Sequence, residues 1–148
     1  MLIDDITSSG AIPTLEASLR FAAERQRLIA GNIANISTPD YRQKDVSIAG
    51  FQEALGRAID ARRASTGGER GDLPFRSTQE LRVDGAGSAD FHLAPKTPSG
   101  NILFHDRNNR DLEHLMRDNV ETTQEFRFAS ELLRNRFELL KSAIAMRP

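Results

Sequence analysis

The sequence predicts a mainly α protein: long N- and C-terminal helices packed as an antiparallel, coiled-coil-like pair, a short third helix, and an irregular middle with short β strands at most. Three observations lead there. Apolar residues recur at alternating steps of four and three near both ends of the 148-residue chain, the period of a helix that buries one narrow stripe. Six of the ten glycines and three of the six prolines fall between Ala64 and Arg110, where they interrupt any long regular element. Hydrophobic residues make up 39% and charged residues 28%, enough for one folding unit with a modest core and some chain left outside it.

The first helix follows Pro13, whose fixed φ suits a first helical turn. Leu15, Leu19, Ala22, Gln26, Ile29, Ile33 and Ile36 then form a heptad seam that ends near Ala34. Alanines on its shoulders favour close approach by another helix. Pro39 biases Thr38 away from the α region and Asp40 is a turn former, so the chain turns at Ser37–Tyr41. From Ala49 to Arg63, Phe51, Leu55, Ile59 and Arg62 share the face of a shorter amphipathic helix with Gly56 as its weak point.

In the middle, alternation around Leu81 and Val83, and around Phe91 and Leu93, predicts two short strands, with a third at Ile102–Phe104. Asp111 caps the last helix. Phe126, Ser130, Leu133, Phe137, Leu140 and Ile144 form its seam, widened by Ala129, Leu132, Leu139 and Met146. Glu113 with Arg117, and Arg127 with Glu131, are spaced to pair along its surface. The chain thus divides into 1–45, a first helix and turn; 46–63, a short helix; 64–110, a variable middle; and 111–148, a last helix, all in one structural unit.

Chemistry is harder to find. Without cysteine, disulfides, thiol catalysis and zinc-thiolate sites are excluded. Twenty basic residues against twenty-one acidic ones leave a net charge of -1, with no global attraction to nucleic acid or anionic lipid. Asp4 and Asp5 stand where a signal peptide needs basic residues, and no run approaches a membrane span, so a cytoplasmic protein or one exported without a cleaved signal is expected. His92, His105 and His114 read as scattered, with no second ligand at i+4, and no metal is expected. Arg62 and Arg63, with Arg57 and Arg70, read as a solvated linker because Glu53, Asp60 and Glu69 interleave. Gly85-Ala86-Gly87 lacks the context of a phosphate loop, no serine sits in a nucleophile elbow, and no acid/base pair stands out. No catalytic, cofactor-binding or metal residue is assigned, and no cofactor is expected.

The most informative run is Asn32-Ile33-Ala34-Asn35 followed by Thr38-Pro39-Asp40-Tyr41. Asparagine is a poor helix former, and two of them three apart share a face, where their amides cap chain ends or bond a neighbouring chain. This stretch resembles the N-terminal signature of bacterial flagellar axial proteins, with Gly31 where many members have asparagine and Asp40 where glycine is commonest. Ala23–Gln26, Lys44–Val46 with Phe51, Asn108–Glu113, and Glu131–Leu133 through Phe137–Ile144 are similar to the proximal-rod family FlgB; Phe126-Arg127 replaces a commoner Tyr-Gln pair. The matching ends cover about half of the chain.

The resemblance implies a structural subunit of the basal-body rod, not an enzyme, whose terminal helices pack together and against neighbours to form the proximal rod of the motor's drive shaft, needed for motility. It implies contacts with further copies, other rod proteins and basal-body junction and ring proteins, passage through the flagellar type III export apparatus, and residence in the periplasmic rod. The motif residues would be Asn32, Ile33, Ala34, Asn35, Thr38, Pro39 and Tyr41. The packing and subunit contacts would be Leu15, Leu19, Ala22, Ile29 and Ile33 with Phe126, Leu133, Phe137, Leu140 and Ile144. The rival reading is a cytoplasmic helical adaptor or export chaperone, which would not need the asparagines or the Thr38-Pro39 turn; a small hydrolase using His92 or His105 is a third.

Overall fold

A computed structural model of the chain describes residues 10–68, 70–84, 91–98 and 111–145. Helix α1 spans Ile12–Ala34, α2 spans Ile48–Thr66, strands β1 (Leu81–Val83) and β2 (Phe91–Leu93) pair antiparallel, and α3 spans Leu112–Ala145. The expected third strand at Ile102–Phe104, together with His105 and Met146, lies outside the described residues.

Local chemistry accounts for the boundaries. Pro13 occupies the first turn of α1. At the start of α2 the Ser47 hydroxyl accepts the Gly50 N–H at 3.0 Å, and Gly67 closes the helix in the left-handed conformation, φ 75°, donating its N–H to the Arg63 carbonyl. Asp111 caps α3 by accepting the His114 N–H at 2.9 Å. Helix α2 runs three residues past the expected Arg63 and passes through Gly56 unbroken.

Helices α1 and α3 pack antiparallel: Arg25 meets Thr122, Gln26 meets Asn119, and Leu15 and Leu132 share a groove further along. At 1.5 Å per residue α1 is about 35 Å long and α3 about 51 Å, so α1 is used up before α3. Of the surface pairs expected along α3, Glu113–Arg117 forms at 3.3 Å. Among the described residues Arg127–Glu131 does not form, and Arg134–Glu138 does, at 3.2 Å.

The core sits on the other side of α1. Phe21 of α1 stacks on Phe51 of α2 with centroids 4.0 Å apart, and Phe75 and Phe91 pack beside them at 5.2 Å from each other. Leu73, Leu81, Ala54 and Ala58 complete the cluster. Four of the eight phenylalanines are thereby buried, and such ring pairs contribute about 0.5 to 1.5 kcal/mol each beyond their area. Leu73, Phe75, Leu81 and Phe91 come from the glycine- and proline-rich middle, which the sequence pattern gave no part in the core. The Arg62 expectation is corrected as well: this side chain is 4% exposed, donating to the Arg70 and Gly10 carbonyls at 3.2 and 2.9 Å. It ties the end of α2 to the start of α1.

Candidate assembly interface

The two asparagines do different work inside the chain. Asn32, 3% exposed, donates Nδ2–H to the Lys44 carbonyl at 2.7 Å, while its Oδ1 accepts the Lys44 N–H at 3.1 Å and the Tyr41 hydroxyl at 3.0 Å. One amide thus pairs both polar groups of one peptide residue, as a neighbouring strand would. Asn35 donates its side-chain N–H to the Gly31 carbonyl at 2.9 Å, which also accepts the Asn35 backbone N–H at 3.2 Å, so that one residue closes the last turn of α1 twice.

After them the Tyr41 N–H bonds the Thr38 carbonyl at 3.3 Å, and Asp40 has φ +60°. With proline second and a positive φ third, this is a type II turn. The third position favours glycine, and aspartate is among the few residues that enter it at modest cost. Beyond the turn, Asp45 exchanges backbone hydrogen bonds with Lys96, so Asn32, the turn and the middle segment are locked to one another.

The inner half of the α1–α3 contact is polar. Arg25, 3% exposed, donates to Thr122 Oγ1 at 2.6 Å and lies 3.4 Å from Asp45 and 3.5 Å from Asp118. Gln26 donates to Asn119 at 2.5 Å. The buried positions of α3 are Leu115, Asp118, Thr122 and Ala129, a heptad row that the apolar pattern missed because two of its four members are polar. Recurrence of 115, 118, 122 and 129 was the available signal.

His114 requires a correction, since Asp118 stands four residues on and 3.4 Å from its Nε2. Asp45, His114 and Asp118 bring ligand atoms within 4.8 Å of one another. The Arg25 guanidinium already faces both carboxylates, so the donor set is answered by an internal cation. His92 lies on the surface, 3.2 Å from Asp84.

The outward surface of α3 is different. Among the described residues, every large hydrophobic side chain that is exposed lies on α3: Leu112, Met116, Val120, Phe126, Phe128, Leu132, Phe137, Leu139 and Ile144. Of the residues expected at the contact, Ala22 and Ile29 are buried, and Leu15, Leu19, Ile33, Leu133 and Leu140 are half-buried. Phe126, Phe137 and Ile144 are exposed, Ile144 by 63%. The chain brings Leu19 together with Leu133 and Phe137 around one shallow depression; Phe126 lies beside Leu19 and Ala23. Among the described residues no helix is long and apolar enough to cross a membrane.

Comparison with known proteins adds to this geometry. The chain is 40% identical over 53 residues to the flagellar basal body rod protein FlgB of Bacillus subtilis, a stretch covering 36% of this chain and 41% of that protein. It is 32% identical over 105 residues to the flagellar basal body rod protein FlgB of Salmonella typhimurium, covering 63% of this chain and 72% of that one. No family model matches the chain.

Proposed function

Because the chain belongs to the FlgB family of flagellar basal-body rod proteins, and so has a structural role in the rod, we propose that it builds the proximal part of the motor's drive shaft by self-assembly through its terminal helices. Its partners are then further copies of itself, other rod proteins, and the junction and ring proteins of the basal body, reached through the flagellar export apparatus without a cleaved signal. The observation that carries this reading is the confinement of exposed large apolar side chains, among the described residues, to α3. Such a face marks an interaction surface, and it runs along α3 both beside α1 and past the end of it.

The motif residues Asn32, Asn35, Thr38, Pro39 and Tyr41 then act indirectly. They set the direction in which the chain leaves α1, and so hold the first helix against the third in the form that neighbours dock on. Leu19, Leu133, Phe137, Leu140 and Ile144 make the contacts themselves. No catalytic step belongs to this role.

Truncating Leu133 and Phe137 together tests it. In the free chain both are partly exposed, so Leu133→Ala with Phe137→Ala leaves the fold standing. Buried between subunits, each truncation costs about 2 to 5 kcal/mol, repeated at every copy. The expected cells export the chain, lack hooks and do not swim, whereas Arg134→Ala cells swim. Normal swimming of the double variant would remove this face from the assembly.

A further inference from the structure

Charge is distributed unevenly along α3. From Leu112 to Glu125 the helix carries Glu113, Asp118, Glu121 and Glu125 against Arg117 alone; from Phe126 to Ala145 it carries Arg127, Arg134, Arg136 and Lys141 against Glu131 and Glu138. Part of this is answered within the chain. Glu113 pairs with Arg117, Arg134 with Glu138, and Asp118 with the buried Arg25. What is left over is acidic in the first half, at Glu121 and Glu125, and basic in the second.

Each surplus borders an apolar surface, and the two surfaces lie on different sides of the helix. Glu121, Glu125, Phe128 and Leu132 follow at steps of four, three and four, so they share one face. Where that face meets Leu15 of α1 and Ile48 and Leu55 of α2 it walls a groove of about 290 Å³. Phe128 is 68% exposed on its rim. Burial here, and then the neighbouring Glu121, hold the Glu125 carboxyl above its ordinary range, with Arg25 acting the other way; an added cation would act in the same sense as Arg25. In the second half, Phe137, Leu140 and Ile144 form a ridge at steps of three and four, flanked by Arg136 on one side and Lys141 on the other.

Resting on the reading of the chain as a rod subunit, we propose that the groove beside Glu121 and Glu125 receives the Phe137–Ile144 ridge of a second copy, with that copy's Arg136 and Lys141 set against the two glutamates. The contact is head-to-tail, the ridge of each copy filling the groove of the next without the return contact of a two-fold pair. It leaves one groove and one ridge free at the ends of every assembly, and so it propagates where a self-complementary contact would close after two copies.

Sedimentation of the purified full-length chain tests this. The expected result is concentration-dependent growth beyond a dimer, weakened by salt because the flanking charges are exposed. Glu121→Lys with Glu125→Lys, and separately Arg136→Glu with Lys141→Glu, should each weaken association roughly tenfold or more while keeping the helix content seen by circular dichroism. An equal mixture of the two should recover it, since each reversed groove then meets an oppositely charged ridge. If the lysine variant does not fold, Glu121→Gln with Glu125→Gln should show a smaller loss in the same direction. A wild-type chain that stays monomeric or stops at a dimer, reversed variants that associate as wild type does, or a mixture that fails to recover would overturn the proposal. The rod reading is separate from this outcome, because it fails only if the chain is missing from isolated basal bodies.

Discussion

At the scale of single residues, Asn32 has the largest consequence for its size. Asn32→Ala removes three hydrogen bonds at a 3% exposed position and leaves the Lys44 peptide groups unpaired. Buried polar groups left in this way cost about 1 to 3 kcal/mol each, so a loss of at least about 2 kcal/mol is expected in urea unfolding. A loss under about 0.5 kcal/mol would show that water replaces the amide freely. Asp40, at φ +60°, predicts a contrast. Asp40→Val should lose about 1 to 2 kcal/mol, because a β-branched residue fits the left-handed region poorly. Asp40→Gly should stay within about 1 kcal/mol of wild type, since relief of strain is offset by a freer unfolded chain.

Glu125 adds a pH dependence with a definite sign. Its folded pKa is raised, by burial first and Glu121 second, so the folded chain holds this proton more tightly than the unfolded chain does. Stability therefore falls as pH rises from the ordinary glutamate range through the raised value. Glu125→Gln should abolish that part of the decline, so that wild-type stability minus variant stability falls as pH rises across the window. A difference that rises with pH would contradict the assigned cause.

At the scale of elements, the α1–α3 pair joins a polar lock at one end to an apolar, partly uncovered stripe at the other. A polar side chain in an otherwise apolar seam fixes register at some cost in stability. Arg25 has that place, with Asp45, Asp118 and Thr122 around it. Arg25→Met should cost about 3 to 5 kcal/mol, because it strands the buried Asp118 carboxylate. Arg25→Met with Asp118→Leu should cost less than Arg25→Met alone. A double variant as unstable as the two single losses added would mean that the pair is not coupled.

The terminal helices and the two short strands were legible in the sequence because each rests on a local signal. Pro13 and Asp111 mark ends, and apolar spacing marks faces; the Ser47 and Gly67 caps of α2 were passed over, so that helix was read short. The lock was not, because apolar periodicity passes over a seam made of Asp118, Thr122 and Arg25. Long-range bonds such as Arg62 to Gly10 have no local signature at all.

At the scale of the whole molecule, the fold separates its core from its exposed apolar surface. The phenylalanine cluster of α1, α2 and the middle segment carries the core with no residue of α3 in it, and much of the apolar surface of α3 stays exposed. The core role of the middle was illegible because Leu73, Phe75, Leu81 and Phe91 sit among turn residues, where neither helical nor strand periodicity runs long enough to mark them. That α3 outruns α1 was legible in outline, since its apolar seam is the longer of the two. Which of its faces meets the rest of the chain became visible only once Leu115, Asp118, Thr122 and Ala129 were placed.

The central claim, that α3 is buried between subunits of the rod, is open to a direct measurement because the chain has no cysteine. Phe137→Cys and, as a control, Arg134→Cys each introduce a single thiol, which can be labelled with a maleimide in the free chain and in basal bodies isolated from cells that also make the wild-type chain, so that assembly does not depend on the variant alone. The account predicts that both thiols react readily in the free chain and that in basal bodies Cys at 137 is protected while Cys at 134 reacts more. Equal reactivity of the 137 thiol in the two states, or absence of the chain from the isolated basal bodies, would contradict it.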